Sequence, residues 1–332
     1  MTTRRNFMAL AGATGLSTGL GRSAHAQSTV DDWPSRTVRV ISPTATGGPS
    51  QNFRLYADNL KNTFGQSFVL ENMPGGSGSI GAMAVARSAP DGHTFMVGSN
   101  SITILAPLVI EKHPLNLKQD LAPVAHLFSF RFLLVVNPNL GVKTFKDFVD
   151  YAKARPGKLN YGSPGIGTGG HVVTELLLKR TGIEAVHVPY QATTQQLMAA
   201  AGGHLDFTFD TPGNARGVVD SGKVTALAVS GKGRAAVMPD VPSFGELGLP
   251  VYDGLFVSTS MLAPAGTPQP IIAALNRELI ACQDKPDIKE RMEKGSYEQG
   301  HQSPDEVVAF FDADYKNWSE VIRETGVRIK AS

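Results

Sequence analysis

From Val38 onward, short apolar runs alternate with stretches in which apolar residues recur every three to four positions. Residues 37–42 read as a strand, after which Phe53, Tyr56, Leu60 and Phe64 fall on one helical face. Residues 67–70 read as a strand and 80–88 as a helix, closed by the turn signal Pro90-Asp91-Gly92 before a strand at 94–98. Strand-helix-strand alternation of this kind predicts parallel sheets with helices on both faces.

A second unit starts at 132–137. Thr144 and Asp147 have capping-box spacing, and the helix they open ends near Gly157. Strands are expected at 159–163, 185–190, 205–210 and 224–230, with helices at 171–180, 193–201 and 213–220 between them. The chain then returns through an extended run at 255–262 into helices at 271–283 and 304–325. In the last helix, Ser303, Pro304 and Glu306 suit the cap, first and third positions. The runs 132–136 and 255–262 read as two crossings between lobes, and paired crossings make a hinge. The expected lobes are 33–132 joined with 258–332, and 133–257.

The first residues read as an export address. Arg4 and Arg5 precede a mildly apolar run to about Leu20, and Ala24-His25-Ala26 offers a small-x-small cleavage site. The pattern favours the twin-arginine route over Sec, with cleavage after about Ala26 and delivery to the periplasm. The run is too short to span a bilayer, which takes about 20 apolar residues. Removing 1–26 takes away Arg4, Arg5 and Arg22 and no acid, so a formal charge of +2 becomes −1. A near-neutral mature chain lacks the basic footprint of a nucleic-acid binder. The single cysteine, Cys282, forms no internal disulfide and reads as a buried helix residue. About 300 remaining residues suffice for two α/β lobes.

Three Gly-rich loops follow strands, at 43–50, 74–81 and 163–171. In open α/β sheets ligands sit beyond the carboxyl ends of strands, where helix starts offer unpaired N–H groups to an anion. The first and third loops, one per lobe, are expected to face each other. Gly76/Gly78/Gly81 and Gly165/Gly167/Gly170 match the dinucleotide pattern, but neither following strand ends in the acid that the ribose requires. No catalytic elbow or metal spacing appears, so neither cofactor nor metal is expected. Asp206 and Asp210 share a strand face, which leaves open a paired-carboxylate hydrolase or lyase. His171 stands at a helix start, placed either to touch an anion or to pack.

At these residues the chain closely resembles the Bug family, the extracytoplasmic solute receptors of tripartite tricarboxylate transporters. The stretches that carry the resemblance include Trp33-Pro34-Ser35-Arg36, Val69-Leu70-Glu71-Asn72, Ala89-Pro90-Asp91-Gly92, His187-Val188-Pro189-Tyr190 and Met238-Pro239-Asp240-Val241-Pro242. They run in order along the whole mature chain. The resemblance implies a two-lobed Venus-flytrap fold of the type II periplasmic binding proteins, each lobe a sheet flanked by helices. It implies no catalysis, and a ligand carboxylate held by the loops at 43–48 and 163–171, partly through water. It also implies one large and one small permease subunit as partners. The expected ligand set is Thr44, Thr46, Gly47, Gly48, Gln51, Asn100, Ser163, Gly167, Thr168, Gly169, His171 and Asp210. A monomer is expected.

Family members often carry an aromatic where Thr44 stands, Pro where Thr46 stands, Asp where Gln51 stands and Trp within 256–260. Losing that bulk and one negative charge points to a roomier pocket. A di- or monocarboxylate, aromatic ones included, is favoured over an amino acid. An amino acid requires a carboxylate for its ammonium group, and Asp210 is the candidate. No Arg or Lys lies in these loops, so neutral donors and helix dipoles are expected to hold the anion. A receptor that feeds a signalling system is a further reading, which permease genes beside this one would argue against.

Overall fold

The computed structural model describes residues 33–44, 52–190 and 192–329. In chain order β1 (Val38–Ser42), α1 (Phe53–Phe64), β2 (Phe68–Asn72), α2 (Ser79–Ala86) and β3 (Thr94–Ser99) alternate. Two short helices, α3 (Ala106–Val109) and α4 (Leu117–Asp120), lead into β4 (Leu121–Arg131) and then β5 (Leu133–Val136). The next part is α5 (Phe145–Lys153), β6 (Leu159–Ser163), α6 (Gly169–Thr181), β7 (Ala185–Pro189), α7 (Thr193–Ala201), β8 (Phe207–Asp210), α8 (Pro212–Asp220) and β9 (Thr225–Val229). The chain returns as β10 (Phe256–Pro264), α9 (Gln269–Gln283), α10 (Pro286–Gly295), β11 (Glu298–Gln299) and α11 (Pro304–Thr325).

The strands form two sheets, ordered β11-β4-β10-β3-β1-β2 and β7-β6-β8-β5-β9. Among the described strands, only β2-β1-β3 and β7-β6-β8 pair with one another in parallel. The expectation of parallel sheets therefore fails for the strands beside the crossings: β10 runs antiparallel to β3 and β4, and β5 to β8 and β9. A strand that arrives from the other lobe enters from the opposite end, so it pairs antiparallel. Phe132 alone separates β4 from β5, and Arg131 at the end of β4 pairs with Phe256 at the start of β10. The two crossings thus lie side by side.

β5 shows why it sits inside its sheet. Leu134 and Val136 face one apolar cluster, Leu133 and Val135 another, and all four are buried. The first of these clusters continues past Phe132 into Ile41, Leu262 and Trp318, so one core runs through the crossing. α11 packs on both β4 and α6, and Arg180 of α6 pairs with Glu324 of α11. The two capping boxes form as expected. Thr144 Oγ1 accepts from Asp147 N–H, and the Glu306 carboxylate accepts from Ser303 N–H. Cys282 is fully buried, and burial pushes its thiol up to about 12.

The pattern misses β4 and α10. Residues 124–129 of β4 are buried on both faces, so no period of two survives. Within α10 only Ile288 and Met292 are buried, too few to register as a helical stripe.

Candidate functional site

A cavity of about 600 Å³ opens between the sheets, within the range of small-molecule sites. Three helix starts of the second sheet line it: Thr168, Gly169 and Gly170 at α6, Thr193 and Thr194 at α7, Thr211 and Asn214 at α8. Each start follows the carboxyl end of β6, β7 or β8. The first N–H groups of a helix have no partner within it, and the dipole makes that end positive. Three such ends face one cavity, but α6 and α7 supply the N–H donors to it: at α8 Pro212 has no N–H, and those of Thr211 and Asn214 go to Asp210 and to Thr211 Oγ1. Gly169 is demanded here by its neighbour, because a Cβ would stand 2.9 Å from Cζ of Phe132.

Phe130, Phe132, Phe209 and Val257 add apolar surface. Asn52, Ser99, Ser101, Arg291 and Tyr297 line the cavity from the first sheet and its helices. A ligand that matches these surfaces has an anionic group and an apolar body.

The loop before α6 is braced from behind. Ser163 Oγ donates to Gly165 O at 3.1 Å and lies 2.7 Å from Nε2 of His187. The His187 ring stacks on His171, whose Nδ1 accepts from Gly167 N–H at 3.1 Å. Burial and the neighbouring His171 push His187 down to about 4, and burial lowers His171 as well. Ser163 and His171 therefore stand behind the loop and not on the cavity wall. Thr168 lies on the wall, but its hydroxyl donates to Gly165 O at 2.7 Å. The donors left at this helix start are main-chain N–H groups.

Asn100 also serves the scaffold. Its amide donates to Phe256 O at 3.0 Å and to Oδ2 of Asp314 at 2.9 Å, while its neighbours Ser99 and Ser101 reach the cavity. Thr44 and Gly167 meet in a second cavity of about 220 Å³, which shares Ser101 and Thr168 with the first. Thr46, Gly47, Gly48 and Gln51 lie outside the described residues.

Asp210 is buried at the end of β8 and lines the cavity. Its carboxylate accepts from Thr211 N–H at 2.6 Å and from the Asn214 amide at 2.9 and 3.1 Å. Burial outweighs these bonds and raises it from 3.8 to about 6. Asp206 precedes β8, where its carboxylate accepts from Asn160 N–H at 2.6 Å. Four residues of strand place the two acids about 13 Å apart at opposite ends of β8. The paired-carboxylate site that the shared strand face left open does not form, and the two acids take the strand-end and helix-start places instead.

The sequence reading missed Thr193, Thr194, Asn214, Tyr297 and Arg291. The first two follow a strand as the third loop does, so the helix-start rule applied to them equally. Asn214 stands in the first turn after Asp210. No local signal marks Arg291, which lies on the unrecognised α10 and donates through Nε to Oδ1 of Asn52 at 3.2 Å. It brings to the cavity wall a cation that the three Gly-rich loops lack.

A family model described as the tripartite tricarboxylate transporter family receptor matches residues 52–327. The chain is 33% identical over 330 residues to a UPF0065 protein of Cupriavidus necator, covering 98% of each chain. It is 30% identical over 305 residues to the protein BugT of Bordetella pertussis, covering 90% of this chain and 92% of that one. Among solved structures, an R. palustris protein with adipate is 31% identical at a TM-score of 0.80, over 90% of this chain and all of that one. MatC from Rhodopseudomonas palustris with bound malate is also 31% identical, at a TM-score of 0.76, over 87% of this chain and 100% of that one.

Proposed function

This chain belongs to the tripartite tricarboxylate transporter family of receptors, and on that premise we propose that its cavity captures a small organic carboxylate for delivery to a membrane transporter. The observation that carries this reading is the convergence of the α6, α7 and α8 starts on one cavity. Main-chain N–H groups at the α6 and α7 starts replace the water that a carboxylate leaves behind. Charge-assisted bonds of this kind contribute about 1.5–3 kcal/mol each, so two or three account for much of a micromolar affinity of about 8 kcal/mol. Phe130, Phe132 and Phe209 suit an apolar or aromatic body between the polar walls.

In this reading residues 1–26 are a twin-arginine signal removed on export, and the mature chain works in the periplasm. Residues 33–132 with 258–332 form one lobe, 133–257 the other, and they close on the ligand about the two crossings. One large and one small permease subunit receive the cargo. A thermal-shift screen of the mature protein against organic acids tests the reading. A ligand at 100 times its Kd should add about 2.7 kcal/mol of stability. A panel of carboxylates without a single shift would reject the proposal.

Asp210 supports a second reading, an amino-acid receptor in which it pairs with the ligand ammonium. The two readings differ in the sign of their pH dependence. With Asp210 held near 6, a ligand carboxylate meets a neutral neighbour at pH 5.5 and a like charge at pH 8. Carboxylate affinity should therefore weaken several-fold as the pH rises through 6, and Asp210→Asn should flatten the profile. An amino-acid ligand should show the opposite slope and lose binding in Asp210→Asn. Isothermal calorimetry at pH 5.5 and 8 reads both.

A further inference from the structure

Among the described residues that line the larger cavity, Arg291 is the one cation. It projects from α10, on the wall supplied by the first sheet's helices, and the three helix starts stand on the other. Its Nε is fixed by Oδ1 of Asn52, a buried residue directly before α1. No acid pairs with it among the described residues. Residues 45–51, which precede Asn52, contain no Asp or Glu. The cavity's own acid, Asp210, spends its oxygens on Asn214 and Thr211. A guanidinium with a fixed Nε and remaining N–H groups at a cavity wall presents a planar fork that suits a carboxylate.

We propose that Arg291 binds a second carboxylate of the ligand, which makes this receptor selective for dicarboxylates over monocarboxylates of the same body. This rests on the carboxylate reading above and assigns the two ends. One carboxylate lies at the α6 and α7 starts, the other at Arg291, with the apolar body along Phe130, Phe132 and Tyr297. Arg291 is then a specificity residue of the first lobe, and a dianion of sufficient reach ties the lobes together from both ends. A monocarboxylate leaves the guanidinium unmatched, so it gains nothing from that wall.

The test compares matched pairs of straight-chain and aromatic mono- and dicarboxylates by calorimetry, on the wild type, Arg291→Gln and Arg291→Lys. Gln keeps a donor for Asn52 and removes the charge. The wild type should prefer the diacid of a pair by about tenfold or more, the scale of one charge-assisted contact. Arg291→Gln should erase that preference by costing the diacid at least about tenfold more than the monoacid of the pair, while Arg291→Lys should restore part of it. Arg291 is exposed on its helix, so the unliganded melting temperature should not move. Equal losses for both acids of a pair, or no loss, would overturn the assignment, and so would an α-amino acid binding tighter than the diacid of its length. Failure of every carboxylate to bind the wild type would instead reject the parent reading.

Discussion

Gly213→Ala should hold the lobes apart. Gly213 lies in the first turn of α8, beside the second sheet, against the C-terminal end of α10. A Cβ at this position would stand 2.2 Å from the carbonyl oxygen of Gly295 and 2.6 Å from its carbonyl carbon. Both are backbone atoms, so no side chain can swing away, and relief requires more than 1 Å of separation to reach ordinary contact. The Gly213 backbone is compatible with alanine, so α8 itself should form unchanged. The expected result is an unaltered melting temperature without ligand and about hundredfold weaker binding, equivalent to about 2.7 kcal/mol. That loss corresponds to the bonds of one wall. Small-angle scattering should show compaction of the wild type on ligand addition and none in the variant. Full affinity in Gly213→Ala would mean that this contact plays no part in capture.

Asp314→Asn should stabilise the protein at neutral and alkaline pH. Asp314 is buried on α11, where Oδ2 accepts from the Asn100 amide at 2.9 Å and from Ser258 Oγ at 3.3 Å. No Lys, Arg or His pairs with it among the described residues. Burial raises it from 3.8 to about 7. Below pH 4 the group is neutral in both folded and unfolded chains and costs nothing. Between about 4 and 7 the unfolded chain releases a proton that the folded chain retains, so stability falls as the pH rises through this window. Above 7 the fold carries a buried charge, a difference of up to about 4 kcal/mol. The variant should match the wild type near pH 4 and exceed it by up to that amount at pH 8. Urea unfolding at both pH values measures the difference, and identical curves at pH 8 would show that the carboxylate is solvated or paired.

Several links were legible along the chain because they are local. The capping boxes at Thr144 and Ser303 depend on residues three apart. Strands β1, β3 and β6 follow from short apolar runs, and α1 from the face of Phe53, Tyr56 and Leu60. The Gly-rich stretch before α6 was legible as a helix start beyond a strand, and Thr168 and Gly169 do line the cavity. Asp210 was legible as a cleft acid, because a strand end followed by Thr-Pro-Gly opens a helix at the binding edge of a sheet.

Other links required the folded chain. Ser163, Asn100 and His171 satisfy the same sequence logic as Thr168, but buried polar groups must find partners, and theirs lie behind the wall. Asp206 and Asp210 share an alternation phase, which says nothing about the length of strand between them. The direction of β5 and β10 was set by where each crossing enters its sheet, a long-range property that no periodicity encodes. Arg291 joins the cavity only because α10 packs across from α8, about 80 residues distant in sequence. What the sequence by itself determined was the order of the elements other than β4 and α10, the starts of the helices it found, and the family, since all three rest on short-range patterns. What the tertiary structure decided was which of those starts share a cavity, and which charge from the far end of the chain faces them, because packing brings together residues that local chemistry cannot relate.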